Sequence, residues 1–168
     1  MRLATIDRLP AMTRFTDQTD TPGDSRLNLL LSYRSGQEES VMDQLPRLLT
    51  PMGIRSIRVT TGEGAAKAVT VHTIHIAVVD LAIPLLQTTP SRAAGPRVLQ
   101  LLRRLNQPPP TVVIRPPQPS SRASARGLTD ALREGAFAVL DRPVDLETIL
   151  KVMRRILRRH YADLWPVN

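Results

Sequence analysis

A chain of 168 residues with 23 Lys and Arg against 15 Asp and Glu carries a formal net charge of +8, and its lack of cysteine excludes disulfides, thiolate nucleophiles and Cys-based zinc or iron-sulfur sites. The length suits one ordinary domain of about 100 to 150 residues plus a tail. No apolar run of about 18 residues occurs and the first 22 residues lack the apolar stretch of a signal peptide, so neither a membrane span nor secretion is indicated and a cytoplasmic protein is expected.

Residues 1–26 mix Thr, Asp, Pro and Arg without apolar periodicity and read as a poorly ordered N-terminal extension. Residues 27–32 then form a short apolar run with the character of a strand buried on both faces. Over 38–53 the residues Val41, Leu45, Leu48, Leu49 and Met52 recur at helical spacing, and Gly53 stands where a left-handed cap is wanted. Pro46 and Pro51 offend against that helix and predict a kink or a late start. A strand over 54–60, an Ala-rich helix over 62–71 and a continuous apolar strand over 74–79 ending at Asp80 follow.

Residues 85–95 read as a loop, and Val98, Leu99, Leu101, Leu102 and Leu105 as a helix that stops before Pro108-Pro109-Pro110. A fourth strand covers 111–114. After it come a Pro-, Ser- and Arg-rich loop over 115–124, a short helix over 128–134, a fifth strand over 137–140, and a last helix capped by Asp145 that runs to about His160. The expected domain is therefore 27–160, with 161–168 as a C-terminal tail. Short apolar strands alternating with helices predict a doubly wound, five-stranded parallel sheet flanked by helices. In such a sheet the ligand crevice lies at the carboxyl ends of the strands, where Ser32, Tyr33 and Asp80 are expected to meet.

The segment Val78-Val79-Asp80-Leu81-Ala82-Ile83-Pro84 resembles the strand and loop around the phosphoacceptor aspartate of two-component receiver domains. Gly135-Ala136-Phe137-Ala138-Val139-Leu140-Asp141-Arg142-Pro143-Val144-Asp145-Leu146-Glu147 is similar, without a gap, to the receivers' closing Gly-Ala, strand, Lys-Pro and final-helix stretch. Gly95 through Leu105 looks like the third receiver helix, so the likeness spans about 27–159. It implies a flavodoxin-like fold and a bacterial signalling or transcriptional role.

The resemblance also implies a magnesium ion held by the phosphoacceptor and an acidic pair after the first strand. Ser32 and Tyr33 occupy those positions, and one remaining carboxylate makes a weak site for a hard cation. Glu38 or Glu39 are the nearest substitutes. The family's phosphoryl-contacting Lys corresponds to Arg142, whose planar fork suits a standing ion pair with Asp80. The switch Ser or Thr falls at Arg115 or Pro116, and the switch aromatic at Val139. The expectation is a noncatalytic, pseudo-receiver regulatory module that acts through protein contacts and uses no cofactor or metal. A receiver still phosphorylated on Asp80 is the less favoured alternative, and so is a nucleic-acid-binding regulator.

The last helix places Ile149, Val152, Met153, Ile156 and Leu157 on one face and Lys151, Arg154, Arg155, Arg158 and Arg159 on the other. Its charges suit the helix dipole, and they could also dock an acidic protein surface or phosphates. Asp130 and Glu134 of the preceding helix are candidate partners for those arginines in a homodimer through the last two helices. Arg103, Arg104, Arg115, Arg122 and Arg126 support the nucleic-acid alternative, although no recognisable binding module accompanies them. His72 and His75 lack a third ligand and read as an ordinary surface pair, and Gly62-Glu63-Gly64 is too short for a phosphate loop. Tyr161 and Trp165 read as tail aromatics folding back on apolar surface.

Overall fold

The computed structural model describes residues 27–34 and 41–162. The expected extension over 1–26, Glu38, Glu39 and Trp165 lie outside the described residues. The described chain runs β1 (Leu27–Ser32), α1 (Val41–Leu49), a 3-10 turn (Thr50–Met52), β2 (Ile54–Val59), α2 (Gly62–Val71), β3 (Ile76–Asp80), β4 (Pro84–Leu86), β5 (Thr89–Ala93), α3 (Gly95–Arg103), β6 (Thr111–Arg115), α4 (Ser121–Arg133), β7 (Ala138–Asp141) and α5 (Leu146–His160).

Five of the strands form one parallel sheet in the order β2-β1-β3-β6-β7, the doubly wound flavodoxin-like arrangement expected from the sequence. Every residue of β3 and of β6 is buried, which is why Ile76–Val79 and Val112–Ile114 are apolar without alternation. The strand period of two sorts the core into two layers. Leu27, Leu29, Leu31, Tyr33, Ile76, Val78, Val112 and Ile114 pack with α1 and α5, while Leu30, Val59, Ala77 and Val79 pack with α2 and α3. The five residues assigned to the inner face of α5 are all buried, each contributing roughly 1.5 to 3 kcal/mol relative to exposure as an upper estimate.

Gly53 has φ 75° and closes the 3-10 turn through a bond from its N to Thr50 O, as the sequence anticipates. Pro46 sits inside α1, and Pro51 falls within the 3-10 turn, where the helix has already tightened.

Several element boundaries differ from expectation. Residues 85–95 are no simple loop, because β4 and β5 pair as an antiparallel hairpin. The Pro- and Ser-rich stretch after β6 yields to α4 at Ser121, seven residues earlier than the predicted start, with Ser120 Oγ accepting from Ala123 N at 3.2 Å. The third strand starts at Ile76, α3 ends at Arg103 and the fifth parallel strand is shifted one residue to 138–141.

His75 is not an ordinary surface residue. Its Nδ1 accepts from Asn28 N at 2.9 Å, which fixes the neutral ring's proton on Nε2, and its carbonyl accepts from the Tyr161 hydroxyl at 2.6 Å. Burial holds the imidazole below its ordinary pKa and raises that of the Tyr161 phenol. Tyr161 thus ties the chain beyond α5 to the start of β3. Among the described residues no three His, Cys, Asp or Glu cluster as metal ligands, and no helix is long and apolar enough to cross a membrane.

Candidate functional site

Asp80 ends β3 and pairs in register with Ile114 of β6, which places it at the carboxyl edge of the sheet. Its side chain is 0 % exposed. The carboxylate accepts from Ala82 N at 2.9 Å and from Arg34 N at 3.4 Å, and it is ion-paired with the Arg142 guanidinium. Arg142 follows β7, where its N donates to Arg115 O at 3.0 Å, so the strand end itself aims the side chain toward Asp80. The Arg142 side chain is 42 % exposed, leaving one side of the pair open to water.

Tyr33 lies on the same sheet face as Asp80, because both continue the alternation that carries Leu29 and Leu31 or Ile76 and Val78 into one layer. Its hydroxyl donates to Asp43 Oδ1 at 2.6 Å and accepts from Arg58 Nε at 3.1 Å, and the Arg58 guanidinium also pairs with Asp43 and stands 5.6 Å from the ring centroid. Burial, with help from the bond to Asp43, pushes the phenol above its ordinary pKa against the opposing influence of Arg58. Ser32 does not join this group. Alternation turns it with Leu30 toward the opposite layer, where its buried Oγ has no hydrogen-bond partner among the described residues. The expectation that Ser32, Tyr33 and Asp80 share the crevice therefore fails for Ser32, for the simple reason that neighbouring strand residues face opposite ways.

Arg115 also departs from the place expected of it. One residue beyond Ile114, it is on the other face from Asp80 and is buried. Its guanidinium pairs with Asp141, directly opposite on β7, and donates to Ser124 O at 3.0 Å and Ser124 Oγ at 2.8 Å on α4. Gly127 makes room for it, since a Cβ there would stand 2.7 Å from Arg115 Nη1. α4 buries no residue of its own, so this guanidinium supplies polar anchoring where another helix would use an apolar face. Val139 is half-buried on β7 opposite Val113.

The sequence reading missed Asp43, Arg58, Asp141 and Ser124. Asp43 and Arg58 could have been flagged only by asking what a buried tyrosine hydroxyl would bond. Of the residues assigned to an interaction face, Lys151 pairs with Glu147 at 2.6 Å and Arg155 stands 5.8 Å from the Phe137 ring centroid. Arg154, Arg158 and Arg159 are exposed. Glu134 lines a cavity of about 40 Å³ with Leu99, Leu102 and Arg103, which places it on the α3 side of α4. Asp130 is exposed on α4 beside Arg126, Thr129 and Arg133.

Among the described residues the donor set around Asp80 does not fit a hard divalent cation. Such an ion takes six or more oxygen ligands, whereas here the single free carboxylate is engaged by a guanidinium, the Tyr33 oxygen is committed to Asp43 and Arg58, and Ser32 faces away.

No protein-family model and no curated protein matches the chain. Solved structures do. A two-component response regulator from Clostridium difficile is similar with a TM-score of 0.62 at 17 % identity, covering 81 % of this chain and 99 % of that one. The signal receiver domain of an HD domain-containing protein from Pseudomonas fluorescens gives 0.59 at 19 % identity, covering 82 % and 98 %. A response-regulator receiver domain from Francisella gives 0.57 at 16 % identity, covering 79 % and 98 %. The fold is that of receiver domains, the class to which these neighbours belong.

Proposed function

We propose that this chain is a degenerate receiver, a regulatory module that works through protein contacts and transfers no phosphoryl group. The observation that carries the reading is the Asp80 carboxylate held by Arg142 at the strand end where receivers place their phosphoacceptor. A guanidinium there neutralises the aspartate that an incoming phosphodonor would require as a nucleophile. Its positive charge also opposes binding of the divalent cation that would offset charge on the transferring group. The absence of a second carboxylate at Ser32 or Tyr33 points the same way.

The proposed contact surface is the exposed face of α4 beside β7. Leu128 and Leu132 of α4 are 38 % and 47 % exposed, as expected of apolar residues reserved for a partner. A second copy of the chain is the proposed occupant. Light scattering is expected to give a dimer mass for the wild type and a monomer mass for Leu128→Ser/Leu132→Ser, and a monomeric wild type would remove the homodimer.

The chemistry is tested by incubating the protein with magnesium and a small phosphodonor such as acetyl phosphate, followed by intact mass spectrometry. No stable gain of one phosphate is expected. A gain abolished by Asp80→Asn would overturn the reading and leave a working phosphoswitch.

A further inference from the structure

Two helices near the carboxyl end carry an excess of basic residues. α5 carries Lys151, Arg154, Arg155, Arg158 and Arg159 against Glu147 alone, and α4 carries Arg122, Arg126 and Arg133 against Asp130 alone. Together they hold six of the chain's eight net positive charges. Both helices adjoin β7, the edge strand of the sheet: α4 precedes it and packs on it, and α5 reaches its start where Arg155 and His160 contact Phe137.

On α5 the apolar residues are all turned inward, which leaves the outward row without an apolar anchor of the kind that dominates protein interfaces. Lys151 is internally neutralised by Glu147, whereas Arg154, Arg158 and Arg159 pair with no acid among the described residues. Arg154 and Arg158 are one turn apart, about 6 Å along the axis, so both guanidinium groups stand on the same side of the helix. Arginine forks also grip phosphate oxygens bidentately. Phe137 beside the row is covered by Arg155 and His160, so that ring offers bases no stacking platform.

We infer that the outward face of α5 binds the phosphate backbone of nucleic acid without sequence preference. This surface is separate from the Asp80 crevice and independent of its chemistry.

The test is fluorescence anisotropy of the full chain with labelled mixed-sequence 20-mers, single-stranded and duplex, across a salt series. With Arg154, Arg158 and Arg159 each neutralising a phosphate, the slope of log affinity against log salt for duplex is about −2.7, a loss of roughly fortyfold between 50 and 200 mM salt. Arg154→Glu/Arg158→Glu is expected to keep the fold, since both side chains are exposed, and to reduce the slope by about 2. Lys67→Glu on α2, at the opposite layer of the sheet, is expected to change neither affinity nor slope appreciably. Absence of binding at 50 mM salt would overturn the inference. So would binding whose slope survives the double substitution, or equal binding of poly-glutamate, which would mark the row as a site for acidic protein.

Discussion

The Asp80–Arg142 pair invites a double-mutant cycle, because one partner is wholly buried and the other is not. In Arg142→Met the carboxylate keeps one good donor, Ala82 N at 2.9 Å, and one long one, Arg34 N at 3.4 Å. Stripping a partner from a buried ion pair costs about 3 to 5 kcal/mol in a fully desolvated setting. Here the arginine is 42 % exposed, so water can reach the vacated side and the cost falls to about 2 to 3 kcal/mol.

Asp80→Asn retains an oxygen for Ala82 N but turns amide hydrogens toward a guanidinium, at about 1 to 2 kcal/mol. With the charge already gone, adding Arg142→Met to Asp80→Asn leaves no buried ion exposed to loss and costs little more. The cycle is expected to return a coupling of about 2 kcal/mol. Urea unfolding of the four proteins at neutral pH measures it, and thermal unfolding is expected to lower the Tm of Arg142→Met by roughly 6 to 12 °C. A coupling below about 0.5 kcal/mol lies within the scatter of additive sites and would refute the claim that the pair holds the crevice.

Arg115→Ala removes the bonds to Asp141 and Ser124 and should destabilise by about 2 to 3 kcal/mol while raising hydrogen exchange across 121–133, and Arg115→Lys should not rescue it, since an ammonium cannot reproduce the fork. Gly127→Ala should destabilise the wild type, because its Cβ meets Arg115 Nη1, yet stabilise Arg115→Ala by roughly 0.5 to 1 kcal/mol through helix propensity; equal effects in both backgrounds would remove the guanidinium from the account of α4. His75, held below its unfolded pKa by burial, contributes stability that is fully present above about pH 6.5 and is lost as pH falls through its folded value. Urea midpoints at successive pH values between 7.5 and 5 should fall for the wild type and much less for His75→Gln, and parallel curves would show that the Asn28 N bond to Nδ1 does not govern that window.

What the sequence made legible was whatever burial writes as a pattern. Residues 76–80 are buried from end to end, residues 27–32 are buried at all but Asn28, and both segments read as largely apolar runs. The five inner residues of α5 recur at helical spacing because a single layer covers them. α4 escaped for the opposite reason: with no buried residue it has no apolar stripe, and its start was marked only by a capping serine within a stretch rich in turn formers. The β4–β5 hairpin escaped because Thr89-Pro90-Ser91-Arg92 contains a proline, which demotes a strand reading, and no Asn-Gly or Asp-Gly turn joins the two strands.

The site divides along the same line. Asp80 and Arg142 were found because each sits in a contiguous run that resembles a receiver, and their pairing followed from charge. Asp43 and Arg58 belong to no run and Asp141 has no role in the one that holds it, and only the fold brings them beside Tyr33 and Arg115. Even so, part of the arrangement follows from the strand period alone. Asp141 and Arg142 are neighbours in sequence, yet Asp141 leaves β7 on the face of Arg115, its partner in register, while Arg142 is free to reach Asp80 on the other. Arg115 is likewise turned from Asp80 because Ile114, not Arg115, stands opposite that aspartate. Parity along β6 and β7 thus assigns each arginine its carboxylate: at the end of β7 Arg142 fastens the sheet edge to β3 on one face, and on the other Asp141 holds Arg115, which in turn bonds Ser124 of α4.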